Sequence, residues 1–123
     1  MDPGKIKQVM EKGKEARKRE EYAVSAQYIR SLRKWAKEDL ELTFRTADTF
    51  PVNIYRVYSC YLSRANGTFL SKNGIEGINS NFVELIESIL EEYNKESSTN
   101  ARYELHVENT DGPVPIYRVL LKE

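Results

Sequence analysis

A seven-residue phrase used twice constrains the fold of this chain more than any other feature. Pro51-Val52-Asn53-Ile54-Tyr55-Arg56-Val57 returns as Pro113-Val114-Pro115-Ile116-Tyr117-Arg118-Val119, differing only at the third position. Upstream of each copy the likeness continues, with Leu40-Glu41-Leu42 answering Tyr103-Glu104-Leu105. Repetition at fixed spacing points to one structural unit used twice. Both copies are rich in Tyr and β-branched residues, so each is expected to be the second strand of a hairpin.

The flanking segments extend that expectation. Residues 40–46 alternate Leu40, Leu42 and Phe44 with Glu41, Thr43 and Arg45, a period-two pattern for a half-buried strand. Strand two then covers about 52–63, and the turn signal Asn66-Gly67 predicts a third strand at Thr68–Lys72. Asn81 with Glu84 forms a capping box for a helix whose apolar face is Phe82, Leu85, Ile86, Ile89, Leu90 and Tyr93. A second hairpin follows from Tyr103 to Lys122. A three-residue loop at Thr110-Asp111-Gly112 would pair Glu104 with Arg118, as a four-residue loop at 47–50 would pair Glu41 with Arg56.

The expected architecture is α+β: an antiparallel sheet of about five strands with helices on one face, built from a duplicated helix-hairpin unit in the order αββ-β-αββ. The repeats span about 22–64 and 80–122 within a single domain over 21–123. Asp2-Pro3 predicts a helix start. Residues 1–20 then read as a basic helical arm, because Ile6, Val9 and Met10 give a thin apolar stripe that stops at Gly13. From Tyr22 the stripe is dense, through Ala26, Ile29, Leu32, Trp35 and Ala36, so 22–37 is expected to pack on the core.

Charge divides the chain. Residues 1–37 hold 11 Lys and Arg against 5 Asp and Glu, whereas residues 38–123 hold 8 against 14, so net charges of +6 and −6 cancel. Such asymmetry invites a partner: an anionic polymer for the basic end, or a second copy. Nucleic-acid binding would use Lys12, Lys14, Arg17, Lys18, Arg19, Arg30, Arg33 and Lys34.

The expected sheet would leave Val52, Ile54, Tyr58, Leu62, Val114, Ile116 and Leu120 on its outer face, where an open antiparallel sheet is normally polar. That set reads as a protein interface, with a homo-oligomer as its simplest form. The repeated Arg56 and Arg118 offer a third reading, a clamp for a small anion, against which stand their expected Glu partners.

Enzymatic chemistry finds little support. The only imidazole is His106 and the only thiol is Cys60, with no local signature around either, so no catalytic residue is assigned. One His and one Cys cannot supply a metal site of nitrogen and sulfur ligands, and no phosphate-binding loop is present, so neither metal nor cofactor is expected. No apolar run is long enough to span a membrane, and the lone Cys suits a reducing compartment, so a cytoplasmic protein of a cell or infected host is expected. These features read as a non-catalytic protein-interaction module, an inhibitor or regulator of the kind that viruses and mobile elements encode.

Overall fold

The structure, a computed structural model, describes residues 3–123, leaving aside the side chains of residues 20–24. The expected Asp2 cap and the place of the Tyr22 side chain fall outside what is described. Helix α1 covers Pro3–Thr46, strand β1 Val52–Asn53, helix α2 Tyr55–Ala65, a 3-10 helix Phe69–Asn73, helix α3 Gly74–Glu96, strand β2 Arg102–Glu108 and strand β3 Ile116–Lys122. Two compact units divide the chain, residues 1–31 and 32–123. The first consists of the N-terminal part of α1, and the second holds everything from Leu32 on.

The fold is mostly helical with one small sheet, which corrects the expected five-strand sheet and its duplicated units. Residues 40–46 are the last turns of α1 rather than a strand. Leu32, Ala36 and Leu40 recur at a spacing of four and are all buried, so the helical period established upstream runs through the alternating stretch. The segment 52–63 is not a strand either. Beyond Asn53 the buried positions are Ile54, Val57, Tyr58, Tyr61 and Ala65, a helical spacing. The expected third strand is the 3-10 helix: Gly67 makes the turn at φ 78°, and Thr68 then caps by accepting from the Leu70 amide at 3.2 Å.

The two copies of the heptapeptide therefore adopt different structures, and they meet. In the sheet order β1-β3-β2, Val52 pairs with Val119 and Asn53 with Arg118, antiparallel. The Ile54 amide adds a bond to the Tyr117 carbonyl at 3.0 Å. Immediately afterwards the Asn53 side-chain oxygen accepts from the Tyr55 amide at 2.8 Å, and the chain turns into α2. In the second copy the same residue types continue as β3, with Tyr117 and Val119 buried.

The second hairpin forms, but two residues out of the expected register: Glu104 faces Leu120, and Arg118 faces His106. Pro113 and Pro115 carry no amide hydrogen and keep the ladder from continuing toward a short turn. The connection 109–115 is held by Thr110, whose hydroxyl donates to the Val114 carbonyl at 2.9 Å and accepts from the Gly112 amide at 3.2 Å. A shift of two leaves every side chain on its expected face. The β2 edge is tied down by Asn94 of α3, which accepts from the Tyr103 amide at 2.8 Å and donates to its carbonyl at 3.0 Å.

The helix expected from Asn81 starts seven residues earlier, at Gly74, whose φ of 73° suits glycine. Its face Ile78, Phe82, Ile86, Ile89 and Leu90 is buried. The centre of the core is aromatic: the Phe82 ring lies 5.2 Å from Tyr58, 5.2 Å from Tyr61 and 4.9 Å from Tyr117.

One ion cluster joins α1 to α3 inside this unit. Glu92 accepts from Arg33 at 2.6 Å and from Lys37 at 3.0 Å. Hydrogen bonds from Arg33 and then Lys37 hold the Glu92 carboxyl below its usual 4.5. The bond to Glu92 in turn raises Lys37 above 10.5. Glu92 thus contributes stability that is present above pH 4.5 and fades as pH falls through its lowered folded value; the Lys37 contribution is present below pH 10.5 and fades as pH rises through its raised one. Glu92→Gln is expected to lower the urea midpoint at neutral pH and to lessen its fall in acid. An acid limb identical to that of the wild type would contradict this account.

Candidate functional site

In the unit 1–31, no described side chain is buried. Ile6, Val9 and Met10 are 42%, 63% and 59% exposed, although they recur at the spacing of a single helix face. Gly13 and Ala16 continue that face with small residues, and Arg17 follows on it with its guanidinium 4.0 Å from where a Gly13 Cβ would stand. At helical periodicity Lys5, Lys12 and Arg19 run along one flank of the stripe and Lys7, Lys14 and Lys18 along the other, with Glu11 and Glu15 on the far side. All six cations are exposed, and the Arg19 Nε donates to the Glu15 carbonyl at 3.5 Å. The arrangement is a narrow apolar seam between two positive rails.

In the unit 32–123 an aromatic groove of about 740 Å3 lies between the end of α1, the end of α3 and β2. Phe44, Phe50 and Tyr103 stand with ring centroids 6.0 to 6.4 Å apart. Glu41 and Glu96 line the groove beside Arg45. The Tyr93 hydroxyl donates to Glu41 at 3.1 Å. Burial, and next the Glu41 carboxylate, push the Tyr93 phenol well above its usual range. No sequence signal points to this cluster, because the alternation over 40–46 suggests a strand where Phe44 stands on the last turns of α1.

The residues singled out from the sequence are dispersed. Val52, Ile54 and Tyr58 are 5%, 0% and 1% exposed and belong to the core, which removes them from any outer face. Leu62, Val114, Ile116 and Leu120 are half-buried. Lys12, Lys14, Arg17, Lys18, Arg19 and Arg30 are exposed on the first unit. In the second unit Lys34 is exposed, while Arg33 is committed to Glu92. Ile29 and Trp35, expected in the core, are 47% and 37% exposed. The Arg64 guanidinium covers the Trp35 ring at 5.1 Å and pairs with Asp39 at 2.9 Å.

Neither expected Glu-Arg strand pair forms. Arg56 is exposed on α2, Glu41 serves Tyr93, Glu104 pairs with Lys122 at 2.9 Å, and Arg118 pairs with Glu108 at 2.7 Å. The two arginines consequently sit on a helix and a strand and do not stand as equivalent arms of a clamp. Cys60 is half-buried on α2, and His106 is exposed on β2. Among the described residues no helix is long and apolar enough to cross a membrane, and no group of three or more His, Cys, Asp or Glu side chains is placed to hold a metal ion.

Comparison with protein-family profiles, with curated proteins and with solved structures returns no match to this chain.

Proposed function

We propose that the protein is a non-catalytic interaction module whose N-terminal helix is the binding element, and that its partner is a protein with an apolar groove rimmed by carboxylates. The observation that carries this reading is the exposed stripe Ile6, Val9 and Met10 on a segment with no buried described side chain. Most helical stability in proteins comes from packing an amphipathic face, and the Ile6, Val9, Met10 face of α1 is left exposed, unlike the Leu32, Ala36, Leu40 face further along the same helix. Anchors at i, i+3 and i+4, followed by a glycine at i+7, match the way a helix lies in a partner's groove. Full burial of such anchors contributes about 1.5–3 kcal/mol each, whereas exposed flanking charges contribute about 1 kcal/mol or less and act mainly on the association rate. In this role the chain acts by occupancy, as an inhibitor or regulator does.

A nucleic-acid partner would use the rails and leave the stripe idle, and the two readings separate in one experiment. Immobilised chain is exposed to nuclease-treated and untreated extract of its own source, beside a Val9→Asp/Met10→Asp variant and an Arg17→Gln/Lys18→Gln/Arg19→Gln variant. A discrete protein held by the wild type after nuclease treatment, with affinity reduced on the order of 100-fold by the paired aspartates, is the expected result. Retention of nucleic acid that ignores positions 9 and 10 and disappears with the three glutamines would replace this reading with the other.

A further inference from the structure

The aromatic groove of the second unit presents apolar surface to solvent: Phe50 is 40% exposed, and Phe44 and Tyr103 are half-buried beside it. Its charges are mostly negative. Glu41 and Glu96 belong to the lining, exposed Asp48 lies between α1 and Phe50, and Arg45 is the one cation that lines it. The Tyr93 phenol, in the same lining, feels that balance: burial raises it most, followed by the carboxylates Glu41, Glu92 and Glu96. A groove of aromatic rings among carboxylates suits an apolar helix face flanked by cations.

The first unit carries such a face. Ile6, Val9 and Met10 are exposed along one side of the helix, with Lys5 and Lys12 on one flank and Lys7 and Lys14 on the other. From Ile6 to Met10 a helix rises about 6 Å. That length matches the ring cluster, whose centroids stand 6.0 to 6.4 Å apart. Met10 adds chemistry as well as size, because a thioether makes favourable contacts with aromatic rings at about 5 Å. Overall charge agrees: the stripe lies within residues 1–37, net +6, and every residue lining the groove lies within residues 38–123, net −6.

We propose that the stripe of one copy docks in the groove of a second copy, two chains exchanging their N-terminal helices to close a symmetric dimer. This rests on the reading of the N-terminal helix as the binding element and names a second copy of the chain as the protein that receives it. A foreign partner would cover the stripe and leave the groove of the same chain bare. Reciprocal exchange covers both surfaces of both chains, and the second helix binds at the effective concentration set by the first.

The test is solution mass by light scattering on the full chain, beside a stripe variant, Val9→Asp/Met10→Asp, and a groove variant, Phe50→Lys/Glu96→Lys. At about 100 µM the wild type should have twice the 14.3 kDa mass of one chain, for a dissociation constant of about 10 µM or tighter. Either variant should weaken association at least about 100-fold and give a monomer. Glu96→Lys alone, at the exposed end of α3, should weaken it about tenfold and serves if the double groove variant does not fold. Isotope-labelled stripe variant, mixed with unlabelled groove variant up to about 1 mM, should show saturable amide shifts at Phe44, Phe50 and Tyr103, because one intact stripe then meets one intact groove. Unlabelled stripe variant should produce none. A dimer that survives the groove substitutions would mean that helices pair with each other, and it would overturn the proposal, as would a mixture without those shifts. A wild-type monomer would overturn it alone: capture of an extract protein through Val9 and Met10 would still uphold the functional reading. A dimer indifferent to Val9→Asp/Met10→Asp would overturn it too, and the extract experiment would then decide the functional reading by itself.

Discussion

Phe82→Ala is expected to remove about 3–5 kcal/mol of unfolding free energy, the range for a fully buried ring whose cavity the neighbours cannot close. Phe82 is 0% exposed, and its neighbours Tyr58, Tyr61 and Tyr117 come from α2 and β3, so the ring is where helices and sheet are joined. Those neighbours are large and stiff, and Tyr58 and Tyr117 pack against each other at 5.0 Å, which limits collapse into the vacated space. A domain of this size has only about 5–15 kcal/mol to lose, so the variant should unfold at a much lower urea concentration and melt about 15–30 °C lower. Phe82→Leu should keep most of the volume and lose far less. A measured loss below about 1 kcal/mol for the alanine variant would mean that this aromatic cluster is not the centre of the core.

Ile54→Glu is expected to be as severe, at least about 4 kcal/mol near neutral pH, because it places a carboxylate at a site with 0% exposure. The sign of its pH dependence follows from desolvation. Burial would raise the folded pKa of the new carboxyl above the unfolded value of about 4.3, so the penalty is full well above that raised pKa and shrinks as pH falls toward the unfolded value. The equivalent position of the second copy, Ile116, is half-buried at the start of β3, and Ile116→Glu should cost much less. Urea melts of the two variants at pH 7 and pH 4 check both statements. Equal losses would mean that the two heptapeptides occupy equivalent environments, as the sequence pattern implied and the structure contradicts.

That contrast marks the limit of what the sequence made legible. The apolar period of Phe82, Ile86 and Ile89 announced α3, and the alternation around Tyr103 and Tyr117 announced the hairpin and the faces of its strands, because each pattern is long enough to have one period. The heptapeptide is not. Val-x-Ile-Tyr-Arg-Val satisfies a strand, and it also satisfies the turn from a strand into a helix, so the residues beyond it decide: Tyr58 and Tyr61 continue a helix, Val119 and Leu121 a strand. Leu40 to Thr46 misled for a related reason, since seven alternating residues fit the end of a helix whose buried spacing begins at Leu32. Surface features fared according to how local they are. The exposed stripe Ile6, Val9, Met10 was visible as a spacing, whereas the Phe44, Phe50, Tyr103 cluster arises only when distant segments are brought together.

The pairing of Val52 with Val119 also bears on how the chain is made. β3 lies in the middle of the sheet, yet it is synthesised after α2, α3 and both of its neighbouring strands. Until β3 leaves the ribosome, Phe82 lacks the ring of Tyr117, β1 has no strand to bond, and β2 is unpaired. Residues 32–115 therefore emerge with Phe82 against Tyr58 and Tyr61 but without the strand that completes the core, and an incomplete core of this kind is what chaperones and proteases meet in a nascent chain.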